Sequence, residues 1–285
     1  MELMYDMIRY VQSFSSPFLD WFFQLVTIIG EDTFFIMMVT LVYWCLDKEF
    51  GYKLGFAYMT SGLFNTALKE IFRVPRPIGQ PGIRSLRIET AGGYSFPSGH
   101  SQMSSTIWLS LMIRIRRRWI YFLGIAMMLL IGLSRVYLGV HTPMDVVGGI
   151  AAALVWIFIS NWIFDMAHKT RQPALLLVFV VPALACMSLF QTATYYKAAG
   201  TTLGLWLGYL TETRYINFQV KSSLWGHAVK MVLGLAGLLA IKTFVKLLLP
   251  EVPLSDFARY LMLGLWMTVA APLLFERVLK LGVQK

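Results

Sequence analysis

The stretch WIYFLGIAMMLLIGLSRVYLGVHTPMDVVGGIAAALVWIFI (119–159) contains two long apolar runs separated by a short polar segment. The runs cover about 119–138 and 143–165, and each is long enough to cross a lipid bilayer as a helix. Helices of a soluble core would need far more polar residues on their outward faces. This stretch therefore predicts an all-α fold in which helices cross a membrane.

The same pattern extends over most of the chain, which has 285 residues, 57% of them hydrophobic and 14% charged. Soluble domains are about half apolar and about a quarter charged, so the composition favours a polytopic membrane helical bundle. The run 200–212 is short for a crossing, and is either a thin span or a re-entrant segment. The other apolar runs are 33–46, 53–73, 98–114, 174–191, 224–248 and 257–276.

We divide the chain into three regions. Residues 1–30 begin with the amphipathic stretch MELMYDMIRYVQSF and predict interfacial helices rather than a signal peptide. Residues 31–170 predict a core of about six helices. Residues 171–285 predict additional transmembrane helices, whose role the sequence leaves open. If 200–212 crosses, the chain has about nine spans with its N-terminus outside.

The net charge of +10 can be explained in two ways that do not involve binding to nucleic acid. The loops RIRRR (Arg114–Arg118), HKTRQ (168–172) and ERVLK (276–280) fall on one side of the predicted bundle, which the positive-inside rule makes cytoplasmic. The remaining excess fits a site for anions. The loops 74–97 and 138–142 then face the opposite, extracytoplasmic side.

The first polar patch on that side is LKEIFRVPRP, at the end of an apolar run. A residue that precedes proline disfavours helix, so the helix should end near Val74. The spacing of Lys69, Arg73 and Arg76 predicts one shared helical face. Arg73 can extend to water, but Lys69 lies more than a turn inside the run. An ionisable group at that depth is a candidate functional residue.

The second patch is YSFPSGH (94–100), at the start of an apolar run. Ser98 is expected to cap the N-terminus of a helix, and Gly99 lets a ligand approach the backbone closely. Free N–H groups at a helix start bind phosphate well. Capping alone explains Ser98 and Gly99, but it does not explain His100 in the first turn.

The third patch is LSRVYLGVHTPMDVVGG (133–149), in which TPMD fits the spacing of a capping box. Capping therefore explains Asp145 by itself. Asp145 also follows His141 by four residues, so its carboxylate can fix the imidazole tautomer. Arg135 lies inside the end of a span, where a lone guanidinium is costly and needs an anion or a carboxylate.

Together the three patches fit phosphoryl transfer. The cations Lys69, Arg76 and Arg135 can stabilise the oxygens of a phosphoryl group. One histidine can attack phosphorus while the other protonates the leaving oxygen, and Asp145 orients the nucleophile. We expect neither a metal nor another cofactor, because the fixed cations neutralise the charge.

At these residues the chain resembles the type-2 phosphatidic acid phosphatase superfamily, which also holds the vanadium haloperoxidases. The pattern of that family is Lys, six residues, Arg-Pro; then Pro-Ser-Gly-His; then Ser-Arg, five residues, His, three residues, Asp. The chain matches every position, from Lys69 to Asp145, and the resemblance covers about residues 53–160. Its overall layout is similar to the glucose-6-phosphatase branch.

The resemblance implies specific roles. His141 would be the nucleophile that becomes phosphohistidine, oriented by Asp145, and His100 would be the general acid and later the base. The residues expected to hold the phosphate are Lys69, Arg76, Ser98, Gly99 and Arg135.

The leading hypothesis is a multi-pass plasma-membrane phosphatase that hydrolyses a lipid phosphate or diphosphate at the extracytoplasmic face. Phosphatidic acid, phosphatidylglycerol phosphate and undecaprenyl diphosphate are the candidate substrates, and membrane lipids are the expected partners. The alternatives are a phosphatase of a soluble ester such as a sugar phosphate, and a transporter of lipids or anions without catalysis. Loss of activity in EDTA would count against the metal-independent mechanism.

Overall fold

The computed structural model describes residues 1–281, and every regular element within them is helical, which confirms the expected fold class. We number the helices α1 to α11 in chain order. Several of them end in a short π-helical or 3₁₀ turn. Their bounds are α1 Glu2–Gln12, α2 Pro17–Ile29, α3 Asp32–Leu46, α4 Lys48–Phe72, α5 Gly99–Ile115, α6 Arg118–Tyr137, α7 Pro143–Lys169, α8 Pro173–Ser188, α9 Ala193–Thr211, α10 Leu224–Leu248 and α11 Pro253–Val278.

Helices α6, α7, α10 and α11 are long and apolar enough to cross a membrane, and α2 with α3 makes a fifth candidate span that is bent by 45°. Helix α9 begins at Ala193, so the apolar run 200–212 is only its second part. The expectation of a short segment there is corrected, because polar residues in the first turns of α9 interrupt the apolar pattern without interrupting the helix.

The described chain divides into two compact units. The first comprises residues 1–35 and 64–158 and contains all eight predicted site residues. The second comprises residues 36–63 and the described chain from 159 onward. The division of the sequence into regions 1–30, 31–170 and 171–285 stays a prediction.

In the first unit, the N-terminal helices pack on the end of α6. Ile8 of α1 is fully buried in a cluster with Val136. The rings of Phe23 in α2 and Tyr137 in α6 lie 4.4 Å apart between centroids. These contacts bring α1 and α2 to the end of α6 that carries Arg135.

The first turn of α5 lies directly against α7. A Cβ atom at Gly149 in α7 would lie 2.6 Å from the carbonyl oxygen of Ser98, so only glycine allows the two backbones to come so close. The backbone N–H of Ser98 also donates to the carbonyl oxygen of Asp145, at 2.9 Å. The second and third motifs therefore meet where α5 and α7 begin.

In the second unit, α9 and α11 pack closely through small residues. A Cβ atom at Gly200 would lie 2.3 Å from the carbonyl oxygen of Phe257, and one at Gly204 would lie 2.7 Å from that of Leu261. Such small-residue contacts are typical of membrane helices, because they let backbones approach and pack in lipid.

Candidate active site

Arg76 braces the loop between α4 and α5. Its guanidinium donates to the carbonyl oxygens of Gly92 at 2.6 Å, Gly93 at 2.9 Å and Val140 at 3.0 Å. Its Nη1 atom also lies 3.0 Å from Nε2 of His141. Burial lowers the pKa of Arg76 to about 10, which leaves it cationic at neutral pH. The first motif is thereby joined to the third.

Asp145 caps α7 and faces His141 at the same time. Its Oδ2 atom accepts a hydrogen bond from the backbone N–H of Thr142 at 2.7 Å, and its own N–H donates to Thr142 Oγ1 at 3.3 Å. This reciprocal pair is the predicted capping box. The same Oδ2 lies 3.4 Å from Nδ1 of His141, and both side chains are 2% exposed. Capping and orientation are therefore compatible functions of one carboxylate.

The partners of His141 define its tautomer. A guanidinium only donates, so Nε2, which faces Arg76, carries the lone pair. Nδ1, which faces Asp145, then carries the proton. Burial lowers the pKa of His141 and the cation of Arg76 lowers it further, against the raising effect of the hydrogen bond to Asp145. The neutral ring therefore directs the lone pair of Nε2 towards Arg76.

Ser95 belongs to this cluster, although the sequence patterns did not reveal it. Its buried hydroxyl donates to Asp145 Oδ2 at 2.6 Å and lies 3.3 Å from Nδ1 of His141. Ser95 stands two residues before Pro97 in the stretch YSFPSGH, and that position was the available signal. A serine in a loop is common, however, and nothing in its spacing indicates the partner.

Lys69 and Arg73 have different surroundings. Lys69 lies in the last turn of α4 and donates to the carbonyl oxygen of Tyr94. The helix ends at Phe72, and exposed Arg73 has a φ of 49° and donates to the carbonyl oxygen of Glu70. The expected helical face shared by Lys69, Arg73 and Arg76 is therefore wrong, since the chain leaves the helix before Arg76.

The start of α5 has the predicted cap. The hydroxyl of Ser98 accepts from the N–H of Ser101 at 3.4 Å. At Gly99 a Cβ atom would lie 3.3 Å from Asn65 Oδ1. His100 follows in the first turn, and its Nε2 atom is buried without a hydrogen-bond partner. It interacts electrostatically with His141 and with the three site cations.

Arg135 is fully buried near the end of α6. Its Nη1 donates to Thr27 Oγ1 at 2.8 Å and its Nη2 to Thr90 Oγ1 at 3.2 Å. Its Nε atom has no partner. Buried polar atoms normally have hydrogen-bond partners, so the unpaired atoms of Arg135 and His100 are candidates to bind a ligand. Neither threonine was found from the sequence.

The structure thus brings all eight predicted site residues into one unit, with His141, Asp145 and Arg76 in direct contact. No group of three or more His, Cys, Asp or Glu side chains within residues 1–281 is placed to hold a metal ion. The expectation that catalysis needs no metal stays a prediction.

The helices and the site define a membrane protein with a buried histidine–carboxylate pair surrounded by fixed cations. The family model described as PAP2 superfamily matches residues 50–169, and the one described as PAP2 superfamily phosphatase, transmembrane extension, matches residues 196–284. The chain belongs to the PAP2 superfamily, which confirms the resemblance seen in the motifs.

Relatives of known activity are phosphatases. Human sphingosine-1-phosphate phosphatase 2 is 27% identical over 226 residues, which cover 71% of this chain and 56% of that protein. The chain thus spans little more than half the length of this relative. Phosphatidylglycerophosphatase B of Bacillus subtilis is 24% identical over 169 residues, which cover 55% of this chain and 80% of that protein.

A solved structure has a similar fold. The crystal structure of Aquifex aeolicus LpxE matches with a TM-score of 0.50 at 28% identity, over 54% of this chain and 92% of that one. The similarity supports the fold of a membrane phosphatase.

Proposed function

We propose that the protein is a membrane phosphatase that hydrolyses a lipid phosphate through a phosphohistidine at His141. The observation that carries this proposal is the placement of the His141 ring, whose Nε2 atom lies 3.0 Å from Arg76 Nη1 and whose Nδ1 atom lies 3.4 Å from Asp145 Oδ2. A neutral, oriented imidazole beside fixed cations is suited to attack an anionic phosphoryl group.

In the first step, Nε2 of His141 forms a bond to phosphorus and the bond from phosphorus to the lipid oxygen breaks. Protonated His100 gives its proton to that oxygen, so the lipid alcohol leaves neutral. In the second step, neutral His100 takes a proton from water, whose oxygen attacks phosphorus. The bond from phosphorus to nitrogen breaks, and inorganic phosphate and free His141 result.

The cations act on the phosphoryl oxygens. Lys69, Arg76 and Arg135 stabilise the charge that these oxygens carry in the transition state, and N–H groups at the start of α5 add donors. Three carbonyl oxygens already hold Arg76 in place, and the incoming phosphoryl group displaces only its contact with Nε2 of His141, which frees that lone pair for attack. A cation that is held in position before the reaction stabilises the charge of the transition state most effectively.

For the substrate we propose a lipid phosphate monoester at the extracytoplasmic leaflet of the plasma membrane. The names of the relatives support two classes, a sphingoid base phosphate and phosphatidylglycerol phosphate. Phosphatidic acid is a third candidate monoester. Undecaprenyl diphosphate is a fourth candidate, from which the same attack would release the lipid monophosphate in place of a lipid alcohol.

The test is phosphate release by the purified protein in EDTA, from these four lipids and from glucose 6-phosphate. Wild type and His168→Ala, a histidine outside the site, should release phosphate from lipid, and His141→Ala should not. Brief reaction with a ³²P-labelled lipid should leave acid-labile, base-stable label on the wild type and on His168→Ala but not on His141→Ala. Release by His141→Ala, or release from the sugar phosphate alone, would overturn the proposal.

A further inference from the structure

We infer that α2 contributes to the active site through Thr27. This threonine is a positioning residue that orients the Arg135 guanidinium towards the substrate phosphate. This inference rests on the proposed function. Thr27 lies outside residues 50–169, the range of the PAP2 family model, so the family pattern assigns it no role.

The geometry of Arg135 carries the argument. A guanidinium has five N–H donors in a fixed plane. Two of its three nitrogens are anchored by different segments of the chain, Nη1 by Thr27 in α2 and Nη2 by Thr90 in the loop. With both ends fixed, the plane cannot rotate, and the unpaired Nε–H keeps one direction. These two bonds leave three of the five N–H donors, Nε–H among them, and Thr27 helps to determine where they point.

The two residues that anchor Arg135 are neutral, and this affects the site as much as their position does. Thr27 and Thr90 are neutral, so they satisfy donors of Arg135 without cancelling its charge. A carboxylate would give a stronger hydrogen bond but would neutralise the cation. Two nearby acids, Glu31 and Glu89, pair instead with Arg87, at 2.6 and 3.8 Å. They act on Arg135 through space, and its unpaired Nε–H is left for an anion.

Helix α2 is itself firmly placed. Asp20 accepts from the Tyr137 hydroxyl at 2.6 Å, and it accepts two hydrogen bonds from Arg84 at 2.6 and 2.7 Å. A Cβ atom at Gly30 would lie 2.9 Å from Ile131 Cγ2, so the end of α2 lies directly on α6. Thr27 sits between these anchors and is fully buried. Such a support can fix a side chain to within the tolerance that a phosphate site needs.

The experiment is a kinetic comparison of Thr27→Val, Thr27→Ser and Thr27→Asp in the full chain. Valine keeps the shape but loses the hydrogen bond, and the lost bond to a charged group should raise both KM for the lipid phosphate and Ki for orthovanadate about 10-fold. The value of kcat should change much less. Serine should restore the wild-type values, and aspartate should raise KM further because it neutralises Arg135.

The matched control is Thr202→Val in α9, a buried threonine whose hydroxyl donates to the carbonyl oxygen of Ala198. It should leave KM and Ki unchanged. If Thr27→Val does not fold, Thr90→Val removes the other anchor and should change KM in the same direction. Unchanged KM and Ki in Thr27→Val, or a serine variant as impaired as the valine variant, would overturn the inference.

Failure of the proposed function gives a different result. If the wild type releases no phosphate from any lipid, binding of orthovanadate is measured by thermal shift in the same variants. Weaker vanadate binding by Thr27→Val than by wild type would then support the inference although the proposed reaction is wrong. Equal binding by the two would reject the inference as well.

Discussion

At the scale of single residues, one oxygen of Asp145 serves three groups. Oδ2 accepts from the Ser95 hydroxyl at 2.6 Å and from the Thr142 N–H at 2.7 Å, and it lies 3.4 Å from Nδ1 of His141. The first two contacts fix the carboxylate, so that the third can fix the imidazole. In the proposed mechanism, the orientation of His141 therefore depends on Ser95 and Thr142, which have no direct role in the reaction.

Ser95→Ala should lower kcat about 10-fold, because loss of one hydrogen bond loosens the carboxylate that holds the His141 imidazole as this ring becomes charged on bonding to phosphorus. KM should change little, since no phosphate-binding group is touched. Steady-state kinetics on the best lipid substrate measure both. The control is Ser110→Ala, whose buried hydroxyl donates only to the carbonyl oxygen of Thr106 in α5. Equal kcat in the two variants would contradict a role for Ser95.

Arg76→Gln should raise the pKa of His141. Burial and the neighbouring cations hold this pKa below its ordinary value, so removal of the cation at 3.0 Å makes protonation of the ring easier. Nuclear magnetic resonance of labelled histidine can follow the titration, because the chain has only four histidines and His141→Ala identifies the signal. Arg84→Gln, which removes a partner of Asp20, is the control and should leave the pKa of His141 unchanged. A lower pKa in Arg76→Gln would contradict this account.

The three motifs that contain the eight predicted site residues could be recognised from local spacing, while the roles of these residues stay a prediction from the family resemblance. The capping box of Thr142 and Asp145 needs only a three-residue offset. Ser95, Thr27 and Thr90 could not be predicted, since each acquires its partner only when distant segments meet. A hydroxyl in a loop or an apolar helix has many uses, and sequence does not distinguish them.

At the scale of helices, local sequence signals predicted where helices begin better than where they end. Ser98 and Pro143 mark the starts of α5 and α7, because caps and N1 prolines are local chemistry. The start of α9 was missed because it is marked by a local cap, in which the Thr192 side chain accepts from the Tyr195 N–H, and not by the apolar run on which the boundary was based. The packing of α9 on α11 depends on glycines, and their role becomes visible only when the two helices are side by side.

Gly204→Ala should lower the stability of the second unit by about 1–3 kcal/mol, because the new methyl group would lie 2.7 Å from the Leu261 carbonyl oxygen. Gly55→Ala is the matched control, since its methyl group would meet nothing closer than Leu205 Cδ1 at 3.4 Å. Alanine favours helix in both variants by the same amount. Thermal unfolding in detergent should therefore separate them, and an equal or higher melting temperature for Gly204→Ala would contradict the proposed packing.

At the scale of the whole molecule, the proposed face of the active site follows from the charge of the loops. The site lies at the start of α5, and the basic loop Arg114–Arg118 lies at its other end. The helix has 17 residues and is about 25 Å long, which is close to the apolar thickness of a bilayer. If the basic loop is cytoplasmic, the end of α5 that carries His100 lies at the extracytoplasmic face of the membrane.

Cysteine labelling of intact cells tests this topology. With Cys45 and Cys186 replaced by serine, a membrane-impermeant maleimide should label Gly92→Cys and should not label Arg117→Cys. Gly92 is exposed beside Arg76, and a Cβ atom added there would have no neighbour within 4 Å, while Arg117 is exposed in the basic loop. Both cysteines should react after the cells are permeabilised, which shows that each is accessible. The reverse pattern in intact cells would place the site on the cytoplasmic face, where a substrate made inside the cell would reach it without crossing the bilayer.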